Sequence, residues 1–274
     1  MNPKKILFIT QEICPYLPET QQSTTCRNLP QQIQEKGREI RTFMPKYGSI
    51  NERRNQLHEV IRLSGMNLII DDTDHSLIIK VASIQSARMQ VYFIDNEDYF
   101  QNRDTTVDEN GVEYEDNDER SIFFIRGVME TIKKLRWVPD IIHCHGWMSA
   151  LAPIFVKKGY VDDPNFKNTK VIYSTYNDRF EKPFREDFTD KLKFEGIDNG
   201  VIERIKERGP MNFDTLTKLA IEYSDGVIQG GDTISNELRD FIKEKDIEFL
   251  AKDEDFETYI NKVNEFYDKI DAQS

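Results

Sequence analysis

Pro139-Asp140-Ile141-Ile142-His143-Cys144-His145-Gly146-Trp147-Met148-Ser149-Ala150-Leu151-Ala152-Pro153 is the stretch whose reading decides the fold. A Pro-Asp entry, an apolar run and a glycine exit punctuate a buried strand, Ile141 to Cys144, with a helix beginning near Trp147. In an open parallel sheet, ligands gather beyond the carboxyl ends of the strands, so His145 and Trp147 are candidate site residues. A second reading stays open on this stretch alone. A histidine at a strand end also serves as a hydrogen-bonded structural group, and a tryptophan there as core.

Upstream, Lys4 to Thr10 reads as another buried parallel strand. Pro15 and Pro18 forbid a helix directly after it, so a loop sits at that strand's carboxyl end. Ser23 or Thr24 is placed to cap a helix through Lys36, closed by Gly37, and Arg38 to Met44 is the second strand. Residues 58–63 and 77–81 read as hairpin strands, and 88–95 returns to the main sheet. The polar, acidic segment 101–117 reads as an exposed excursion. Asp118 is placed to cap a helix over 119–136, whose Ile122, Ile125, Val128, Met129, Ile132 and Leu135 form one stripe.

Downstream, 148–158 reads as a helix, 169–175 as a strand, 213–223 as a helix, 226–229 as a short strand and 233–245 as a helix. Residues 180–208 are charged and weakly periodic, and read either as short helices or as a mobile loop. The last apolar stripe, Phe256 to Ile270, predicts a helix that docks on the domain. This order gives an α/β fold: a single doubly wound, Rossmann-like domain over residues 1–274, with a mainly parallel sheet and a β-hairpin insertion, and 256–270 as a C-terminal docking helix.

Composition excludes several classes. A net charge of −12 argues against a nucleic-acid partner or an anionic membrane surface, both of which need a basic face. The apolar run Ile6 to Ile9 is too short for a signal-peptide core or a membrane span. Three cysteines without paired spacing argue against a disulfide framework, and the expected location is cytoplasmic. His143 and His145 share a strand face but lack a third ligand nearby, so no metal site is expected. Neither G-x-G-x-x-G nor G-x-x-x-x-G-K-[ST] occurs, and no bound cofactor is expected.

Taken together, several stretches resemble the amino-terminal half of bacterial glycogen synthases and plant starch synthases, the ADP-glucose-using transferases of the GT-B fold. Lys5-Ile6-Leu7-Phe8-Ile9-Thr10-Gln11-Glu12 with Pro15-Tyr16 resembles the family's opening K-[IV]-L-F-[IV]-[TS]-x-E-x-x-P-[FY]. Leu29-Pro30 and Gly37 match its "L-P" and "L-G-H", and Met44-Pro45-Lys46-Tyr47 its "[LM]-P-x-Y". Asp116-Asn117-Asp118-Glu119-Arg120 resembles "D-N-x-x-R-F", and Pro139 to Trp147 resembles "P-D-[IV]-[IV]-H-x-H-D-W". Residues 216–225 resemble "L-K-x-x-I-x-x-[AS]-D" more weakly. The resemblance implies a GT-B N-terminal-domain-like fold and glucosyl transfer from ADP-glucose to an α-1,4-glucan. It implies His145 as a sugar contact beside the reacting centre and Asp116 as an acidic group near the acceptor. Glu12, Trp147, Tyr176 and Asn177 are the further candidates for lining the same strand-end cleft.

The departures are as informative. An ungapped reading from Pro15 to Pro30 sets Pro18-Glu19-Thr20-Gln21-Gln22 where the family carries K-T-G-G-L, so its lysine and both glycines are replaced. A cationic, close-approach loop has become neutral to acidic and bulkier. The family's "T-I-H-N" reads Ser174-Thr175-Tyr176-Asn177, the aspartate after His145 is Gly146, and "V-S-P-T-Y" reads Gly230-Gly231-Asp232-Thr233-Ile234. The chain also stops before a second, nucleotide-binding domain would begin. Two expectations follow. One is a transferase that is weak or inactive alone, with a partner chain supplying the nucleotide site. The other is a non-catalytic glucan-binding, regulatory or protein-interaction module, self-association included, over the face a second domain would cover.

Overall fold

A computed structural model describes residues 4–273. Its centre is β1 (Lys5–Thr10), flanked in parallel by β2 (Glu39–Pro45) and β7 (Ile141–His145). From β2 the sheet runs outward through β6 (Met89–Asp95) to β5 (Thr73–Ile84) and the two-residue β3 (His58–Glu59). From β7 it runs the other way through β8 (Lys170–Thr175), β9 (Gly226–Gln229) and β10 (Glu248–Leu250). β4 (Met66–Ile70) pairs with β5 alone. Every pair from β10 to β6 is parallel, and only β3, β4 and β5 add antiparallel pairings. The mainly parallel α/β architecture expected from the sequence is the one the chain adopts. Its strand order reverses between β1 and β7, the switch point where such sheets bind ligands.

Register aligns the strand ends. Thr10 pairs with His145, His145 with Ser174, and Thr175 with Gln229. The loops after β1, β7, β8 and β9 therefore converge at one edge. Alternation along β1 then decides which face each side chain serves. Ile6 and Phe8 join Ile141, Leu29 and Ile33 beneath the last helix, α8 (Phe256–Asp271), whose Tyr259, Ile260, Val263, Phe266, Tyr267 and Ile270 are buried. Leu7 and Ile9 face the other, larger core with Ile142 and Cys144. His143 and His145 lie on the α8 side.

Several local expectations need correction. The first helix, α1 (Gln21–Glu35), starts before Ser23. Thr20 is its cap, and a reciprocal pair forms in which the Thr20 hydroxyl accepts from the Ser23 N–H and the Ser23 hydroxyl from the Thr20 N–H. The hairpin is β4 with β5, closed by Asp71 and Asp72, both left-handed, while 58–63 contributes only β3. The long helix α2 spans Asn117–Leu135, one turn's edge earlier than expected. Asp118 is not its cap but a fully buried anion facing Arg185 and Lys191. Segment 101–117 is an excursion, as expected, exposed to half-buried as far as Asp116, but it is anchored. Buried Arg120 donates to the carbonyls of Tyr99, Asp104 and Thr105, which pins it to α2.

The expected helix over 148–158 is broken into a 3-10 turn at Trp147–Ser149, one α turn, α3 (Ala152–Ile154), and a π turn at Phe155–Gly159. Pro153 removes one ladder donor there. Segment 180–208 resolves into short helices, α4 (Phe188–Lys191) and α5 (Asn199–Lys206). α6 (Phe213–Glu222) and α7 (Asn236–Glu244) complete the helices, and β10 was not foreseen. No helix among the described residues is long and apolar enough to cross a membrane.

Candidate functional site

The strand ends enclose a cleft of about 310 Å³ lined by Gln11, Glu12, Thr20, Gln21, Gln22, Tyr176, Asn177 and Asp178. Gln11 and Glu12 follow β1, Thr20 to Gln22 open α1, and Tyr176 to Asp178 follow β8. The centre of the arrangement is Gly146, whose φ of +83° only glycine adopts without strain. A Cβ there would lie 2.2 Å from Gln22 Nε2, 2.8 Å from Gln11 Oε1 and 2.9 Å from Asp178 Oδ2. Three polar side chains thus converge where residue 146 has no side chain of its own.

Two of them replace the cap that Gly146 lacks. Asp178 Oδ2 accepts the Trp147 N–H at 2.8 Å, and Gln11 Oε1 accepts the Met148 N–H at 3.2 Å. Burial pushes the Asp178 carboxyl up to about 6, partly offset by the Trp147 N–H. Asp178 Oδ1 and Gln22 Nε2 have no protein partner, although both are withdrawn from solvent and Gln22 is only 4% exposed. Glu12 is half-buried and accepts the Thr20 hydroxyl, and burial raises its carboxyl as well. Among the described residues lining the cleft there is no lysine or arginine. Gln21, on the lining, donates to Asp232, which also pairs with Lys252 at 2.7 Å.

The sequence candidates distribute unevenly around this cleft. Glu12, Tyr176 and Asn177 line it, with the Asn177 amide donating to the Thr233 hydroxyl at 2.7 Å. His145 has no solvent exposure. Its Nδ1 lies 2.9 Å from the Tyr176 hydroxyl, its ring contacts Phe8 and His143, and its Nε2 has no partner. Burial drives it down to about 3, so it is a neutral imidazole behind the Tyr176 ring. Trp147 is buried edge-on against Phe180, with its indole N–H on the Thr106 hydroxyl. Asp116 is paired with Arg103 at 2.6 Å and is not among the cleft residues.

Gln11, Gln22 and Asp178 were not among the candidates. The signal that points to Asp178 is the missing side chain at 146, and it has meaning only once β8 is known to lie beside β7. Among the described residues no group of three or more His, Cys, Asp or Glu could hold a metal ion.

The fold defines an α/β protein with a cleft at the switch point of a mainly parallel sheet. The chain belongs to the starch synthase catalytic domain family, whose model matches residues 5–251. The glycogen synthase of Chlorobium limicola is 33% identical over 237 residues, covering 83% of this chain and 48% of that protein. The glycogen synthase of Chlorobaculum tepidum is 33% identical over 246 residues, covering 86% and 47%. The structure is similar to the catalytic domain of Starch Synthase IV from Arabidopsis thaliana bound to ADP and acarbose, with a TM-score of 0.72 and 17% identity, over 91% of this chain and 51% of that one. The chain spans about half the length of the relatives it matches.

Proposed function

We propose that this chain binds a neutral α-glucan in the strand-end cleft and transfers glucose weakly or not at all by itself. The observation that carries this reading is the charge of the cleft: two carboxylates, Glu12 and Asp178, and no lysine or arginine among its described lining residues. A sugar nucleotide brings a diphosphate, and retaining transfer needs cations and amide donors that stabilise it as it leaves. Losing one such preorganised group costs ~10²–10³ in rate. Hydroxyl groups meet no such penalty, because carboxylates and amides are their natural partners. A second, open groove of about 410 Å³ shares Thr20 and Gln21 with the cleft and is lined also by Phe256, and the two together suit a chain of sugars better than a single one.

The second reading is a transferase completed by a nucleotide-binding partner, and family membership is what favours it. One experiment separates the two. The purified chain is titrated with maltoheptaose, and glucose transfer from radiolabelled ADP-glucose to glycogen is followed in parallel. Binding without turnover is the expected result. Turnover clearly above background would defeat the non-catalytic reading, and absence of maltoheptaose binding would defeat the glucan cleft.

A further inference from the structure

We infer that Asp178 and Gln22 are the specificity-determining pair of this cleft, with Asp178 supplying from the end of β8 the acidic group that the family motif carries at position 146. The inference rests on the glucan-cleft reading and names the atoms that would do the recognising.

Three observations carry it. First, Asp178 Oδ2 and Gln22 Nε2 occupy the volume that any side chain at 146 would fill, at 2.9 and 2.2 Å from the Cβ position. The glycine is therefore the room into which these groups reach from two other elements. Second, Asp178 is held from behind. Its Oδ2 accepts the Trp147 N–H, which leaves Oδ1 as a free acceptor. Third, Gln22 Nε2 is a free donor on a residue that is only 4% exposed. Buried donors and acceptors without partners are rare in folded proteins and mark a missing ligand or water. A sugar hydroxyl both donates and accepts, so one hydroxyl, or two on neighbouring carbons, satisfies Oδ1 and Nε2 together. An anion satisfies only the amide and is repelled by Asp178 and Glu12.

The test uses the full chain with maltoheptaose as the neutral probe and glucose 1-phosphate as the anionic one, followed by calorimetry. Asp178→Asn and Gln22→Leu are each expected to weaken maltoheptaose by about tenfold, the loss of one buried hydrogen bond. Asp178→Asn is expected to strengthen glucose 1-phosphate, a gain that a merely unfolded or loosened variant would not show. If the wild-type chain binds maltoheptaose and both variants stay within about twofold of it, the pair is served by water and the inference is overturned while the cleft survives. If the wild-type chain binds no maltoheptaose, the cleft reading falls and this inference with it.

Discussion

The Nδ1 of His145 lies 2.9 Å from the hydroxyl of Tyr176, and neither side chain reaches appreciable solvent. The tyrosine stands where the family motif has a histidine, and its ring seals the imidazole from the cleft by packing over Gly230, where a Cβ would come within 2.5 Å of it. A hydroxyl donates or accepts, so it serves either tautomer of His145. Tyr176→Phe keeps the seal but removes the imidazole's partner. With Nε2 already unpartnered, we expect a loss of about 1–3 kcal/mol in urea unfolding at pH 7.5.

His143 and His145 together set an acid limit. His143 is held between the Tyr267 and Ser174 hydroxyls, each at 2.7 Å, and burial drives it well below its ordinary value, with His145 adding to the effect. Both folded-state values are depressed, so the unfolded chain takes up protons first as pH falls below about 6.5. Their contribution is complete above that point and is lost on the way down towards about 3 for His145. Each histidine adds up to about 1.4 kcal/mol per pH unit to the slope. The midpoint temperature should fall between pH 7 and 4.5, and His145→Gln should lessen that fall. An unchanged slope would mean that the imidazole titrates normally in the folded chain.

Asp178 carries the opposite sign. Its folded-state value, about 6, lies above the unfolded value of 3.8, so the folded chain binds this proton more tightly. Its favourable contribution is present below the unfolded value and is lost as pH rises through 6. Asp178→Asn should therefore stabilise the chain by up to about 3 kcal/mol at pH 7.5 and by almost nothing at pH 3.5. Under the proposed glucan cleft, this cost at neutral pH is the stability–function trade-off common at binding sites. Equal effects at both pH values would show that the carboxylate is not desolvated.

The central strands were legible because burial on both faces writes a continuous apolar run, as in Ile6 to Ile9, or one broken by a single residue, as by His143 in Ile141 to Cys144. The hairpin was misplaced because its turn is Asp71-Asp72, two left-handed aspartates without the glycine that announces such a turn. The 148–158 helix was read as regular because all-round burial hides the break at Pro153. In the site, Glu12, Tyr176 and Asn177 could be placed because each ends a recognisable strand. His145 was located correctly in the chain, but strand alternation turns its side chain under α8 and not into the cleft. Asp178 and Gln22 were out of reach, since their partner is an absent side chain more than thirty and a hundred residues away.

Lys191 is the clearest structural charge. Its side chain is 1% exposed, with Nζ 3.2 Å from Asp118, 2.9 Å from Glu119 and 3.0 Å from Asp187. It ties α4 to the first turn of α2. Lys191→Met leaves Asp118, itself without exposure, to the more distant and half-exposed Arg185. We expect a cost of about 3–5 kcal/mol. The double variant Lys191→Met with Asp118→Leu should recover most of it, because an apolar pair replaces a buried ion pair at little cost. Failure to recover would show that the charges also fix the path of the 180–191 segment.

Arg120 makes the same kind of demand on the segment before α2. Its guanidinium donates to Tyr99 O at 2.8 Å, Thr105 O at 2.8 Å, Asp104 O at 2.6 Å and Asn117 Oδ1 at 2.7 Å, and lies 4.7 Å from the Tyr114 ring centre. A planar fork meets acceptors in several directions at once, whereas a lysine ammonium on a flexible stem reaches only some of them. Arg120→Lys should strand at least two carbonyls in a dry setting, at about 3 kcal/mol in total. The loss should appear locally before it appears globally, because the carbonyls belong to one loop. Brief trypsin treatment is expected to cut the variant after Arg103 while the parent chain resists. Equal resistance of the two would show that the Val107–Glu113 bridge and the Arg103–Asp116 pair hold the segment without Arg120.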